Sequence, residues 1–174
     1  MAYVYELPLG KGKQWANGGG ATTKILSGWQ TSGIFSAVSG QPFGLTASGA
    51  SLNAVGQTQT PDLVGPVKRL GGTGPGQHFY DPTAFADVTA PAVYGNVGRN
   101  PLLGPGSVNF DFSLFRTVNL TERFNVQLRV DAANLFNSPH FNNPNGDLSS
   151  GSFMEINSAK FDERQFRLGV RLAF

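Results

Sequence analysis

The sequence has no cysteine and few charged residues, and both absences restrict what the protein can be. Without cysteine among its 174 residues, disulfide bonds and thiolate metal sites are excluded. Charged residues make up 14% of the chain, whereas about 25% is usual for soluble domains. The chain therefore lacks the many charged surfaces that keep soluble helical domains in solution.

Residues that carry chemistry are also scarce. His78 and His140 are the only histidines, and neither lies at a metal-ligand spacing from the other. The sequence contains no Gly-x-Ser-x-Gly nucleophile motif, and residues 10–13 (GKGK) lack the spacing of a phosphate-binding loop. We therefore predict no catalytic residue, no metal site and no cofactor, and a protein that is not an enzyme. A net charge of +2 carried by scattered cations does not favour nucleic-acid binding.

Long apolar runs are missing too, so no segment has the roughly 18 apolar residues of a transmembrane helix. A strand of a membrane β-barrel needs only about 9 to 11 residues, which alternate between apolar and polar. What the chain does have is 23 glycines and 14 phenylalanines. This composition favours turns and aromatic strands.

Three stretches alternate between apolar and polar residues with a period of two, which predicts strands with one apolar and one polar side. They are residues 108–114 (VNFDFSL), 124–133 (FNVQLRVDAA) and 166–174 (FRLGVRLAF). The short polar connection between the first two predicts a hairpin. We expect one shared apolar face, represented by Phe110, Phe112, Val126, Leu128, Leu168 and Leu172.

The predicted fold is all-β, an antiparallel meander of about five or six strands with long loops. It forms a single segment of a transmembrane-type β-barrel or of an edge-paired β assembly. The strands are expected at about residues 2–9, 25–38, 108–118, 124–136 and 164–174, and the long loops at residues 39–106 and 137–163. A soluble, carbohydrate-binding β-sandwich stays open as an alternative, because the strands of a sandwich alternate as well.

An ordered series of motifs resembles the late barrel strands of TonB-dependent outer-membrane receptors. The resemblance is to the group with an amino-terminal carboxypeptidase-regulatory-like domain, and it spans nearly the whole chain. The motifs are YVYELPLGKGK (3–13), GWQTSGIF (28–35), SGQPF (39–43), PDLVG (61–65), FYDP (79–82), AFA (84–86), YGNVGRN (94–100), GPG (104–106), VNFDFSLF (108–115), TERF (121–124) and ANLFN (133–137), followed by Pro139.

This resemblance implies a bacterial outer-membrane or cell-surface location and a part in energy-dependent nutrient uptake. The last strand resembles the terminal signal that the barrel-assembly machinery reads, with Arg167, Gly169, Leu172 and Phe174 in the matching positions. The implied partners are outer-membrane lipid, that machinery and the remaining barrel strands. The family's plug and TonB-contacting segment have no counterpart in the sequence, so we expect a segment of a longer receptor that does not transport alone.

A second hypothesis is a structural protein in which further copies of the chain pair through their sheet edges to form a tube or filament. The substrate of a receptor is not indicated by the sequence. Aromatic and amide residues in the long loops are candidate ligand contacts, and packing of the loops explains them equally well. These residues are Phe79, Tyr80, Tyr94 and Asn96.

Overall fold

The computed structural model describes residues 1–53, 57–160 and 162–174, so residues 54–56 and 161 of the predicted long loops lie outside the described part. The elements follow in chain order: β1 (Ala2–Glu6), α1 (Ala21–Leu26), β2 (Trp29–Val38), β3 (Pro42–Phe43), a 3-10 helix (Gly49–Leu52), β4 (Asp62–Leu63), a second 3-10 helix (Pro82–Ala84), β5 (Phe85–Ala86), β6 (Leu102–Leu103), β7 (Ser107–Asn119), β8 (Asn125–Ala133) and β9 (Gln165–Ala173).

The chain divides into two compact units, which are described separately. We call the first the sheet unit; it consists of Met1–Ala37, Val108–Ser138 and Asp162–Phe174. The second, the loop unit, consists of Val38–Ser107 and Pro139–Phe161.

The sheet unit is built on one five-stranded sheet with the strand order β1-β2-β7-β8-β9. The pairs β1–β2, β7–β8 and β8–β9 are antiparallel. The prediction of an all-β antiparallel meander is therefore confirmed.

Two hydrogen bonds close the hairpin between β7 and β8. The backbone N–H of Leu120 donates to the carbonyl oxygen of Phe124 at 2.9 Å, and the Thr121 hydroxyl accepts from the Phe124 N–H at 3.1 Å. Threonine hydroxyls favour such turns because they replace a backbone partner. The turn fixes the register of β7 against β8.

β8 ends at Ala133, earlier than the predicted end of this strand at residue 136. Asn134 has a φ of 48°, a left-handed conformation that interrupts a strand. Its side-chain amide donates to the carbonyl oxygens of Ser138 (3.0 Å) and Asp162 (2.8 Å), and its side-chain oxygen accepts from the Ser138 N–H. The asparagine thus binds both ends of the connection from β8 to β9.

The helix α1 occupies the beginning of the stretch predicted as strand 25–38, so β2 begins only at Trp29. A six-residue helix is too short to be stable alone. Contacts with the sheet hold it: the Arg116 guanidinium donates to the carbonyl oxygens of Lys24 and Ile25, and the Trp29 indole donates to Ile25 at 3.1 Å.

The loop unit has a hydrophobic core of its own. Edge-to-face ring contacts join Phe79 to Tyr80 and Phe85 to Phe153, with centroids 5.2 and 5.9 Å apart. The core residues are Phe43, Leu45, Phe79, Tyr80, Ala84, Phe85, Leu102, Phe153, Met154 and Ile156. Two short antiparallel ladders, β3–β6 and β4–β5, frame it. The aromatic residues of this core, which show no periodicity in the sequence, are therefore explained by packing.

A fully buried glutamine organises the irregular backbone of this unit. The Gln59 side-chain amide donates to the Ser51 hydroxyl at 2.9 Å and to the Val93 carbonyl oxygen at 2.8 Å. Its side-chain oxygen accepts from the N–H groups of Thr60 and Gly95 at 3.0 and 3.2 Å. These bonds satisfy backbone groups that the short strands leave unpaired.

We expect Gln59→Ala to destabilise the loop unit by about 2 to 4 kcal/mol, because buried backbone groups lose their partners. Thermal unfolding and limited proteolysis within residues 39–106 measure the effect. Gln57→Ala is the matched control, since Gln57 is exposed and only accepts a 3.4 Å hydrogen bond from Tyr94. Equal stability of the two variants would contradict the assigned role of Gln59.

Candidate membrane-facing surface and loop cavity

The register of the sheet brings apolar side chains from three strands to one side. Residues directly opposite each other in antiparallel strands point to the same face. Val126 lies opposite Val118 on one side and Leu172 on the other, and Val130 lies opposite Leu114 and Leu168. With the period of two along each strand, this surface, the apolar face, carries Phe110, Phe112, Leu114, Val118, Val126, Leu128, Val130, Phe166, Leu168, Val170 and Leu172.

The apolar face extends over β1 and β2. A side-chain carbon added at Gly33 would lie 2.4 Å from Tyr3 Cε1 and 3.0 Å from Phe110 Cζ. Both rings therefore cover Gly33 from the same side. Tyr3 and Tyr5 lie opposite Gly33 and Thr31, so the same face carries aromatic side chains as far as the outer strand.

The opposite side, the polar face, carries charged and amide groups that bind each other. Ser113 donates to the Asp131 carboxylate, and Arg129 Nε lies 2.8 Å from Asp131 Oδ1. Asn109 donates to Asp111 at 3.0 Å. The register also places Gln127 on this face, opposite Arg171. The polar residues that alternate with the apolar ones in these strands therefore lie on the side opposite the apolar face.

The part of the apolar face that β9 forms is exposed. Leu168, Val170 and Leu172 are 83%, 75% and 56% exposed. Soluble monomers rarely expose a large continuous apolar patch. The composition of the two faces fits a sheet that contacts an apolar solvent on the apolar side and water on the polar side.

Aromatic pairs mark the two ends of the apolar face. Phe124 and Phe174 have ring centroids 6.4 Å apart at one end, and Phe110 and Phe136 stack at 5.6 Å towards the other. The ten-residue step from Phe110 to Leu120 spans roughly 34 Å along a strand. At a tilt of about 45° this gives roughly 24 Å across a membrane, close to the apolar band of about 25 Å in outer-membrane barrels.

The four residues of the predicted assembly signal lie along the outermost strand. Arg167 and Gly169 are on the polar face, and Leu172 is on the apolar face. Phe174 follows the end of β9 and is 92% exposed. In the described residues, β9 pairs only with β8, so its outer edge presents unpaired backbone groups.

The four candidate ligand contacts of the loops have different environments. Phe79 is 1% exposed, with the Arg69 guanidinium 4.7 Å from its ring, so core packing and not ligand contact explains this residue. Tyr94 is exposed. Asn96 accepts from the Leu63 N–H at 2.7 Å and donates its own N–H to Asp62, and it thereby holds β4 in place.

Tyr80 is 9% exposed and borders a cavity of about 430 Å³ within the loop unit. Its hydroxyl donates to the Leu103 carbonyl oxygen at 2.8 Å. The lining residues are Leu63, Val67, Tyr80, Phe85, Val97, Pro101, Leu102 and Leu103. Cavities of this size and apolar character hold small ligands. Most of the lining was not predicted, because half of its residues lie in strands of only two residues and the other half lie in connections, so neither group shows a period.

The histidines and carboxylates of the loop unit have structural partners. His78 Nδ1 lies 3.0 Å from the Phe153 carbonyl oxygen. The hydroxyl and N–H of Thr83 both donate to Asp81 and hold the pKa of that carboxyl below its usual range. Within residues 1–53, 57–160 and 162–174, no three His, Cys, Asp or Glu side chains lie close enough to hold a metal ion. None of the helices described there is long and apolar enough to cross a membrane.

A sheet with one apolar face, one polar face and aromatic residues at both ends of the apolar face is typical of one class of membrane protein. A family model described as outer membrane beta barrel domain matches residues 1–167. The chain belongs to this family. Comparisons with curated proteins and with solved structures find no match. As an outer membrane beta barrel domain, the protein is located in the bacterial outer membrane, which confirms the location predicted from the sequence.

We expect Leu128→Arg to reduce assembly of this outer membrane domain, since an arginine that faces lipid costs up to about 4 kcal/mol, depending on its depth. Gln127→Arg is the matched control on the polar face. Each new arginine lies opposite an existing one, Arg116 for position 128 and Arg171 for position 127, so repulsion between like charges is similar.

The fraction of each variant that migrates anomalously without heating, as folded outer-membrane barrels do, measures assembly. A loss of folded protein for Gln127→Arg equal to that for Leu128→Arg would contradict the assignment of the two faces.

Proposed function

We propose that this domain is the carboxyl-terminal barrel portion of a TonB-dependent outer-membrane receptor for nutrient uptake and has no enzymatic activity. The family membership and the ordered motifs of residues 3–139 support this proposal. The observation that carries it is the combination of one apolar face with unpaired edges at β1 and β9 in the described residues. Such a sheet requires further strands before it encloses a path across the membrane.

The edges define the partners in this proposal. Remaining barrel strands pair with the free edges of β1 and β9, because unpaired backbone groups within lipid each cost several kcal/mol. The barrel-assembly machinery reads the last strand through Arg167, Gly169, Leu172 and Phe174. Outer-membrane lipid covers the apolar face.

The orientation follows from where the connections leave the sheet. The turn of residues 120–124 and the terminal Phe174 lie at one end, joined by the Phe124–Phe174 ring contact. The start of β2 lies at this end too, since an added side-chain carbon at Gly28 would be 4.0 Å from the Thr117 carbonyl oxygen. The long connections 39–106 and 134–164 leave from the opposite end. Because outer-membrane barrels have short periplasmic turns and long external loops, we orient the long connections outwards.

In this orientation, the loop unit meets nutrients arriving from outside the cell. Its apolar cavity suits an uncharged part of a ligand, because the described residues that line it carry no charge. Tyr80 is the one residue of the cavity lining that the sequence analysis named as a candidate contact.

The proposal is tested on the native polypeptide that carries this sequence, isolated from bacterial outer membranes. We expect the intact mass of this polypeptide to be far above the 18.5 kDa of the present chain. We also expect a segment that precedes this chain to photo-crosslink to TonB. A polypeptide of about this mass without a TonB crosslink would contradict the receptor proposal.

The alternative is a structural protein whose copies pair edge to edge into a tube or filament. Its specific support is that β1 and β9, at opposite edges of one sheet, both lack an outer partner in the described residues. Electron microscopy of the native polypeptide without detergent distinguishes the two. Long regular polymers favour the structural protein, and aggregates that detergent disperses into single barrels favour the receptor.

For the receptor, we expect Phe174→Ala to lower the folded outer-membrane fraction several-fold, because it removes the terminal aromatic residue and its contact with Phe124. Phe166→Ala is the matched control, since it removes the same side chain from the apolar face of the same strand. Quantitative blotting of unheated outer-membrane fractions measures both. Similar losses for the two variants would show that only apolar area matters and not the terminal position.

A further inference from the structure

The connection between β1 and β2, residues 7–28, is attached to the apolar side of the sheet. Arg116 lies on the apolar face, opposite Leu128. Its guanidinium donates to the carbonyl oxygen of Ile25 at 2.6 Å and to that of Lys24, and it lies 5.9 Å from the Trp29 ring. Nη1 and Nη2 of this arginine are thereby bound to the last turn of α1, while its buried Nε has no hydrogen-bond partner among the described residues. Because β1 ends at Glu6 and β2 begins at Trp29, the connection lies at the end of the sheet that carries the turn of residues 120–124.

The exposed side chains of this connection suit a membrane interface. Trp15 is 60% exposed and Ile25 is 62% exposed. Tryptophan is enriched where lipid head groups meet the acyl region, and exposed aliphatic side chains gain from contact with acyl chains. At the end of the sheet that carries Phe174, this interface is the inner, phospholipid-containing leaflet of the outer membrane.

A cationic cleft of about 460 Å³ opens in the same connection. Among the described residues, its lining combines two lysines with glycines and small polar residues and contains no carboxylate: Lys11, Asn17, Gly18, Gly19, Gly20, Thr23, Lys24 and Ser27. Lys13 differs from the two cleft lysines, since its amino group pairs with Glu6 at 3.3 Å and does not line the cleft. The cleft therefore offers concentrated positive charge beside apolar, interface-seeking side chains.

We propose that this cleft binds the head-group phosphate of an anionic phospholipid of the inner leaflet. Lys11 and Lys24 supply the charge, and the absence of side-chain carbons at Gly18, Gly19 and Gly20 leaves the cleft open to the phosphate oxygens. Trp15 and Ile25 contact the glycerol and acyl region of the same leaflet. The proposal rests on the orientation given under the proposed function, together with the outer-membrane location and the two faces of the sheet, and it does not require uptake or TonB.

Native mass spectrometry of the intact polypeptide purified from outer membranes tests the proposal, with palmitoyl-oleoyl phosphatidylglycerol as the probe and phosphatidylcholine as the comparison lipid. Each lysine near a lipid surface contributes roughly fivefold in affinity. We therefore expect the double variant Lys11→Gln/Lys24→Gln to bind phosphatidylglycerol roughly thirtyfold more weakly and phosphatidylcholine almost unchanged.

Lys68→Gln/Lys160→Gln is the matched control, because it removes the same charge from the loop unit and leaves the cleft intact. Anomalous migration without heating confirms that both variants are folded. Equal binding of phosphatidylglycerol by the two double variants would overturn the proposal. Displacement of the lipid by millimolar inorganic phosphate would also overturn it, since the cleft would then recognise free phosphate and not a membrane lipid.

Discussion

The antiparallel register of β7, β8 and β9 is the constraint on which the rest of the protein depends. It aligns Val126 with Val118 and Leu172, and it gathers the charged groups around Asp131 on the other side. A slip of one residue would turn every apolar side chain of a strand towards water. The outer-membrane location, the position of the aromatic pairs and the need for further strands all follow from this alignment, because lipid accepts one face and excludes unpaired edges.

The loop unit is stabilised in a different way from the sheet unit. Its strands are two residues long, and its stability comes from buried aromatic rings and from side chains such as Gln59 that replace a sheet as hydrogen-bond partners. This construction leaves an apolar cavity bordered by Tyr80, whose hydroxyl is bound to the Leu103 carbonyl oxygen. A loop unit that is ordered by its own core presents a shaped surface, which the proposed binding of a ligand requires.

The sequence predicted the sheet better than the loops. The alternation of residues 108–114, 124–133 and 166–174 is a local property, and burial on one face produces it directly. β8 ends before Asn134, and this end depends on a partner distant in sequence, Asp162. The helix α1 likewise depends on Arg116. No local sequence pattern predicts either feature. Phe79 and Tyr80 were named as candidate contacts because loop aromatics often bind ligands. Only the three-dimensional packing shows that Phe79 belongs to the core and that Tyr80 borders a cavity.

The most direct test of the two-faced sheet places a single spin label at each position of residues 108–118 in the intact protein in lipid bilayers. These 174 residues contain no cysteine, so each introduced cysteine is a unique label site within them, and any cysteine elsewhere in the polypeptide is replaced by serine. Accessibility to oxygen, which concentrates in lipid, is compared with accessibility to a water-soluble nickel chelate. The predicted result is an alternation with a period of two. Labels at Phe110, Phe112 and Leu114 are accessible to oxygen, and labels at Asn109, Asp111 and Ser113 are accessible to the chelate. Uniform accessibility along β7, or the opposite alternation, would contradict a lipid-facing apolar surface.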